Sequence, residues 1–521
     1  MGTLKHDLLA PGMELRETHI SLVLLTADTA YKIKKPVQLG FLDFSTLEQR
    51  KRYCEAEVQL NRRLAQHVYR GVVPVTRDAQ GKHHLGSVAA PGDAEIVDYA
   101  VEMRRLSDAD AADQRLARGE LGAAELTRIA EHLARFHAGA RCDAQTEQYG
   151  RRAAIEVNVV ENFDQTRQSA LAYLNRAELT GLERWQKDFL QREEQRFDAR
   201  IAARRVRDGH GDLRLEHCYL GAADGAVQII DCIEFNERFR YADVCADVAF
   251  LAMDLAWNGR PDLTEAFLAS YARAADDYDL YSVVDFYESY RAYVRGKVSS
   301  MLADDAGADS ALRERARLHA RKYYVLAEAC TRPPLPAPRL YAVGGLIASG
   351  KSSVAGRLAN MLRAPHVEAD RTRKRLAGLD PLTPWHDEAF SGHYTPAMTQ
   401  AVYAELRRRA EVVLRSGRSV VIDASFRERA QRAALLELAE RTGCPLAFLE
   451  CHAPAELCRE RLRKRAQGPS ASDGRGEIFD AFARSYERVD ELAPEQHLRL
   501  DTSRDKAEVD AELQALGSVF K

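Results

Sequence analysis

Short apolar runs and longer mixed stretches alternate along the last third of the chain. Leu340-Tyr-Ala-Val343 is an apolar run with the length of a buried strand, and a glycine-rich turn separates it from a helical stretch at about 352–362. Further short apolar runs at 366–369, 419–422, 446–450 and 498–500 are spaced by helical stretches. Strands alternating with helices predict an α/β domain, a parallel sheet covered by helices on both faces. Upstream the pattern differs. Residues 18–106 read as strands interrupted by one helix at about 47–66. Residues 120–330 read as helices, with one short strand pair around Tyr219 and 227–231. This predicts a small β-rich lobe (about 15–106) followed by a larger helical lobe (107–330).

Between the two regimes, Thr331-Arg-Pro-Pro-Leu-Pro-Ala-Pro338 places four prolines in six residues. Prolines remove backbone donors and favour extended chain, so this segment reads as a stiff linker. The expected division is residues 1–330, a linker at 331–338, and residues 339–521.

Composition narrows the class of protein. A chain of 521 residues is expected to hold two to four domains, at roughly 100–200 residues each. No window approaches the ~18 uninterrupted apolar residues of a membrane helix. The start, MGTLKHDLLAPGMEL, lacks the basic-then-apolar order of a secretory signal, and His6 stands where a myristoylation signal has Ser or Thr. Nine cysteines without a CxxC pair point to reduced thiols and a cytoplasmic location. Residues 1–338 carry 46 basic against 52 acidic side chains (−6), and residues 339–521 carry 29 against 26 (+3). That balance argues against a nucleic-acid binder without removing nucleic acid as a partner. The sequence does not reveal the oligomeric state.

Gly345-Leu-Ile-Ala-Ser349-Gly350-Lys351-Ser352 fits the pattern GxxxxGK[ST], with Ser353 following. Glycines let backbone N–H groups converge on phosphate oxygens, and the next helix adds its positive end. Lys351 can reach the β/γ-phosphates of ATP, and the Ser352 hydroxyl can hold Mg²⁺. Asp423, closing the run Ser419-Val-Val-Ile422, would lie at the strand edge where ligands gather and suits a Mg²⁺ contact. A plain helix cap is the competing reading. Asp370 is expected to end the preceding strand and to open Asp370-Arg-Thr-Arg373. There it could accept the proton of an attacking hydroxyl, with Arg373 holding an anionic part of the substrate. Arg461 and Arg465, four apart on a helix, share a face, and the polar segment 467–476 has the composition of a lid. Arginines on such lids meet charge on a transferred phosphoryl group.

Together, residues 345–353, the Asp370/Arg373 pair, Asp423 and the Arg461/Arg465 helix resemble the P-loop kinases related to polynucleotide 5′-kinases and zeta toxins. The resemblance implies Asp370 as general base, Arg373 as substrate ligand, and Arg461 and Arg465 as phosphate ligands.

A second signature lies upstream. His210-Gly-Asp212-Leu-Arg214-Leu-Glu-His217 precedes Val227-Gln-Ile-Ile-Asp231. Kinase catalytic loops place a base Asp five residues before a metal-binding Asn, with a metal-binding Asp at a later strand end. Asp212 and Asp231 fit the carboxylate roles, Arg214 could meet the γ-phosphate, and His217 stands at the Asn position. Lys32, in the strand around Ala30-Tyr-Lys32-Ile33, and Glu57, on the next helix, fit the pair that orients the α/β-phosphates. Lys34, two residues on, competes with Lys32 for that role.

This part resembles the aminoglycoside phosphotransferase-like kinases, including the segment Asp243-Val-Cys-Ala-Asp247-Val-Ala. The whole chain resembles bacterial bifunctional aminoglycoside phosphotransferase-like/ATP-binding proteins. The implied fold is a protein-kinase-like, bilobal α+β N-terminal domain joined to a C-terminal α/β P-loop domain. The implied activity is ATP- and Mg²⁺-dependent phosphotransfer to a hydroxyl-bearing acceptor that the sequence does not identify. His217 departs from the pattern, because a hard cation prefers oxygen. Two other functions stay open: an ATP-gated binding protein and a nucleic-acid 5′-hydroxyl kinase.

Overall fold

A computed structural model describes residues 2–40, 42–86, 95–221, 226–332, 337–380, 394–465 and 476–519. The chain forms two compact units, one of residues Met1–Pro261 and Phe286–Thr331, the other of Asp262–Asp285 and Arg332–Lys521. The linker residues 333–336 lie outside the described residues.

The first unit begins with an antiparallel six-stranded sheet. Its spatial order is Glu14–Glu17, Ser21–Leu25, Thr29–Lys34, Glu95–Arg104, Tyr69–Arg77, His83–Leu85. Side chains in a strand alternate between faces. Leu22, Leu24 and Ile33 therefore pack on one face with Leu4 and Leu8. Ala30 and Leu25 pack on the other with Cys54 and Val58 of the helix Leu47–Asn61. The same period sends Lys32 and Lys34 to the face with Ala30, toward Glu57 on that helix.

Thr46 and Gln49 close the start of this helix as a capping box. It ends at Asn61, five residues before the expected end. The Asn61 amide donates to Glu57 O at 2.9 Å and Arg62 Nε to Tyr69 O at 2.9 Å, drawing the chain into the next strand. These partners are tertiary and leave no mark in local spacing.

The rest of the first unit is helical, built around Val244–Trp257, which is buried along nearly its whole length. Asp243 caps that helix through Cys245 N–H at 2.8 Å and forms a buried pair with Arg200 at 2.6 Å. Cys218–Leu220 pairs antiparallel with Val227–Ile229. A sheet lobe followed by a helical lobe gives the bilobal α+β architecture that the sequence implied.

The second unit holds a five-stranded parallel sheet in the order His366–Glu368, Val420–Asp423, Leu340–Gly345, Leu446–His452, His497–Asp501. Leu340 aligns with Val420 on one side and Leu446 on the other. Val343, Val354, Leu358 and Leu449 share the core beneath the helix Lys351–Leu362. This is the α/β layout expected of the C-terminal part.

Asp262–Asp285 joins this unit, although the sequence reading kept it with residues 1–330. The Tyr278 hydroxyl donates to His366 O at 2.6 Å, Arg409 forks onto Asp276 at 2.6 and 3.0 Å, and Arg418 pairs with Glu265 at 2.9 Å and Asp285 at 2.8 Å. Arg409 and Arg418 are largely buried, so these pairs are less screened than surface ion pairs. Among the described residues no helix is long and apolar enough to cross a membrane.

Candidate functional sites

The central strand Leu340–Gly345 runs directly into the loop before the helix Lys351–Leu362, one residue earlier than the expected helix start. Gly345 has φ +140°, and a Cβ there would meet Cys451 O at 2.3 Å and Ser349 Oγ at 2.6 Å. Ala348 at φ +60° and Gly350 at φ +89° are left-handed, with Gly350 as the helix N-cap. Left-handed turns next to right-handed ones aim successive N–H groups into one concavity that suits an anion. Ser352 and Ser353 are exposed at its rim. Ser349 is buried, and its hydroxyl has no hydrogen-bond partner.

Asp423 ends the strand Val420–Asp423, in register with Val343 and with Glu368. It is 4% exposed, and its Oδ1 has no hydrogen-bond partner. Burial pushes its carboxyl up, against Lys351 and His366 and a hydrogen bond from Ser352. A buried carboxylate oxygen without a partner, beside a hydroxyl and an N–H cradle, fits a divalent cation that bridges protein and phosphate.

Asp370 does not end a strand. The strand stops at Glu368, and Asp370 lies half-buried in the first turn of the helix Ala369–Leu376. The strand-end position belongs to Glu368, which pairs with Arg273 at 2.8 Å and Arg371 at 3.5 Å. Burial raises the Glu368 carboxyl, but His366 and Arg273 outweigh it and hold the group below the usual range. Arg273 comes from far upstream, which is why local sequence did not separate the two acids. Arg373 is buried, with its guanidinium 4.6 Å from the Tyr394 ring centre.

Arg461 donates to Ala348 O at 3.2 Å, Thr502 Oγ1 at 3.2 Å and Thr502 O at 2.6 Å. It braces the loop from behind, and Thr502 completes the brace by donating to Ser349 O at 2.6 Å. Thr502 belongs to no motif and was not singled out by sequence. Arg465 ends the helix Ala455–Arg465, but its side chain and residues 467–475 of the expected lid lie outside the described residues.

In the first unit, Lys32 Nζ lies 2.9 Å from Glu57 Oε1 and 2.5 Å from Asp231 Oδ1. Lys34 Nζ takes the other Glu57 oxygen at 2.6 Å and also pairs with Glu234. Both lysines thus meet Glu57, but only Lys32 reaches Asp231. Asp231 does not end a strand either. Val227–Ile229 stops two residues earlier, and Asp231 turns left-handed at φ +66° with its N–H donated to the Tyr69 hydroxyl at 3.2 Å. Burial raises the Asp231 carboxyl, but Lys32 and His217 overcome it and hold it well below the usual carboxylate range.

Asp212 is likewise held very low, because Arg214 at 3.0 Å and His217 outweigh the effect of burial. His217 Nδ1 donates to Asp212 O at 2.7 Å, and its Nε2 lies 3.6 Å from Asp231 Oδ2. A carbonyl can only accept, so Nδ1 carries the proton, and Nε2 accepts from the Arg214 guanidinium at 3.2 Å beside Asp231. Asp247 accepts the N–H groups of His210 at 2.7 Å and Gly211 at 2.8 Å, which fixes the loop carrying Asp212. His210 is fully buried and donates to Ile230 O at 2.9 Å, and burial pushes it down to about 4. Lys32, Lys34, Glu57, Asp212, Arg214 and His217, with Asp231, line a cavity of about 1320 Å³. Among the described residues no three His, Cys, Asp or Glu side chains gather as metal ligands. Asp231 and His217 together make two.

The family model described as an AAA domain matches residues 340–489. The protein Rv2004c of Mycobacterium tuberculosis is 34% identical over 473 residues, which cover 91% of this chain and 90% of that one. The chain belongs to its family. Among solved structures, aminoglycoside 2′-phosphotransferase-IIIa in its GDP complex is 14% identical, covers 60% of this chain and 91% of its own, and has a TM-score of 0.33. A gluconokinase from Sinorhizobium meliloti is 23% identical, covers 34% of this chain and 90% of its own, and has a TM-score of 0.24.

Proposed function

We propose that this protein is an ATP-dependent phosphotransferase with two nucleotide-binding modules. The observation that carries this reading is the loop 345–350, whose N–H concavity opens beside the partnerless Oδ1 of Asp423. Bound Mg²⁺ would neutralise charge on the β/γ-phosphates and polarise the transferred group. Asp423 and Ser352 would hold it, Lys351 would supply a cation to the same phosphates, and the loop N–H groups, with Ser349 and Ser353, would cradle the rest. Asp370 takes the proton of the acceptor hydroxyl as its oxygen forms the new bond to phosphorus, and ADP leaves. Arg461 keeps the loop in shape, and Arg373 positions the acceptor.

In the first unit, Lys32 and Glu57 would orient the α/β-phosphates, Asp231 and His217 would hold the metal, Asp212 would serve as base and Arg214 would meet the γ-phosphate. A second reading, a nucleotide-gated binding module, is favoured by one observation. Asp231 Oδ1 and Asp212 are already matched by Lys32 and Arg214, so a metal at either acid would sit against a cation of the protein. The +3 charge of residues 339–521 gives little support to a nucleic-acid acceptor.

The test is transfer of γ-labelled phosphate by the full chain to small metabolites, nucleosides and 5′-hydroxyl oligonucleotides. Acceptor-dependent transfer that Lys351→Ala abolishes supports the P-loop module, and a separate fraction abolished by Asp212→Asn supports the upstream one. Tight ATP binding with no acceptor-dependent turnover would replace this reading with the binding module.

A further inference from the structure

Five side chains of the first unit form a row of alternating charge: Glu234, Lys34, Glu57, Lys32, Asp231. Lys32 and Lys34 share a face of the strand Thr29–Lys34, and Glu57 stands on the helix Leu47–Asn61. The two outer acids lie three residues apart, just after the strand Val227–Ile229. The row is sealed at one end and open at the other. The side chains of Lys34, Glu57 and Glu234 are 2%, 0% and 6% exposed, whereas that of Asp231 is 43% exposed within the cavity.

Hydrogen bonds are shared unevenly along this row. Lys34 Nζ donates to Glu57 Oε2 at 2.6 Å and also to Glu234. Lys32 Nζ donates to Asp231 Oδ1 at 2.5 Å. It also lies 2.9 Å from Glu57 Oε1, yet that buried oxygen accepts no hydrogen bond. A buried acceptor left bare is costly, and the donor within reach of it is Lys32. Lys34 is fixed more firmly. Its ammonium lies 4.9 Å over the Phe44 ring, which packs edge-on against Phe235. The Asn61 side chain accepts Cys232 N–H at 2.9 Å and donates to Glu57 O at 2.9 Å. The segment from Asp231 to Glu234 is thereby tied to the helix that carries Glu57. Burial raises the Glu57 carboxyl, but Lys32 and Lys34 outweigh it and hold the group below its ordinary range. At Glu234 burial prevails over the same lysines and leaves the carboxyl raised. Of the two acids on Lys34, Glu57 is the one more firmly kept ionised.

We propose that Lys34 is a positioning residue: with Glu234 behind it, Lys34 holds Glu57 in place, so that Lys32 can pass from Asp231 to a nucleotide phosphate while Glu57 Oε1 takes up its second donor. This rests on reading the first unit as a nucleotide-binding module. With Lys34 present, Glu57 already has a fixed cation and does not need Lys32 for neutrality. Without Lys34, two buried carboxylates face one ammonium. Lys32 is then drawn inward, away from the cavity, because attraction between charges is strongest where water is excluded. Asp231 Oδ1 is the partner that Lys32 gives up, since its exposure lets water replace the lost bond.

The test is calorimetric titration of the full chain carrying Lys351→Ala, which weakens the P-loop site, with a non-hydrolysable ATP analogue and Mg²⁺. In that chain Lys34→Met should weaken binding about tenfold, and Lys34→Arg, which keeps the cation, should retain most of it. A residue that acts through Lys32 adds nothing once Lys32 is gone. Lys32→Gln combined with Lys34→Met should therefore bind no worse than Lys32→Gln alone. An acyl-phosphate derivative of ATP, which acylates the lysine nearest the phosphates, should mark Lys32 and spare Lys34 in peptide mapping. Thermal melts separate lost binding from lost folding. If Lys34→Met does not fold, Lys34→Met combined with Glu234→Gln removes one charge of each sign and should show the same loss of binding. Unchanged affinity in a folded Lys34→Met chain, additive losses in the double variant, or acylation of Lys34 overturns the proposal and leaves the nucleotide reading standing. No Mg-nucleotide binding by the Lys351→Ala chain, with acylation confined to Lys351 in the unsubstituted chain, overturns the nucleotide reading of the first unit and this proposal with it.

Discussion

The two candidate phosphate sites solve one electrostatic problem with different materials. The loop at 345–350 uses main-chain N–H groups, and its nearest acid, Asp423, keeps a bare oxygen. The cavity of the first unit uses side chains, and Asp231 and Asp212 already hold cations of the protein. A cradle of backbone dipoles is set by dihedral angles and needs no rearrangement when an anion arrives. A network of paired charges must be partly undone, because a metal at Asp231 competes with Lys32. The loop concavity is thus preset, whereas the upstream acids are already paired with cations of the protein.

The largest effect expected of breaking this contrast is on Asp370. Asp370→Asn keeps shape but takes no proton, so acceptor phosphorylation by the P-loop module should fall by about 10²–10⁴ while ATP affinity barely changes. Equal loss of both in steady-state and binding assays would move Asp370 into the nucleotide shell. Next, Lys351→Ala should lower P-loop turnover by roughly 10²–10³ and leave any Asp212-dependent transfer alone. Both measurements need the full chain, since Asp262–Asp285 packs into the second unit.

A smaller effect concerns stability. His210 is neutral when buried, with its proton affinity pushed down to about 4 against an ordinary value near 6.5. Its contribution is complete above the unfolded value and is lost as pH falls toward the folded one. The first unit should therefore lose up to about 3 kcal/mol between pH ~6.5 and ~4 from this group. Urea midpoints across that window should flatten in His210→Gln, and an unchanged slope would rule His210 out as the cause. The smallest effect belongs to His217→Asn, which should lower the Mg²⁺ concentration for half-maximal nucleotide binding severalfold. No change there would place the metal away from His217.

Sequence alone determined the elements whose chemistry is local. The loop 345–352 is contiguous, its dihedral needs favour glycine, and its flanking apolar strand and helix are neighbours in the chain, so motif and geometry coincide. The α/β alternation was legible for the same reason, as was the face shared by Lys32 and Lys34, which follows from the strand period. Tertiary structure decided the rest. Choosing Lys32 over Lys34 as the partner of Asp231 required bringing together residues 199 apart. Glu368 rather than Asp370 ends its strand and is neutralised by Arg273, 95 residues upstream. Arg461 braces the loop because Thr502 and Ala348 offer it carbonyl oxygens across gaps of 41 and 113 residues. Ion pairs and hydrogen bonds depend on distance in space, whereas periodicity and motif record only distance along the chain.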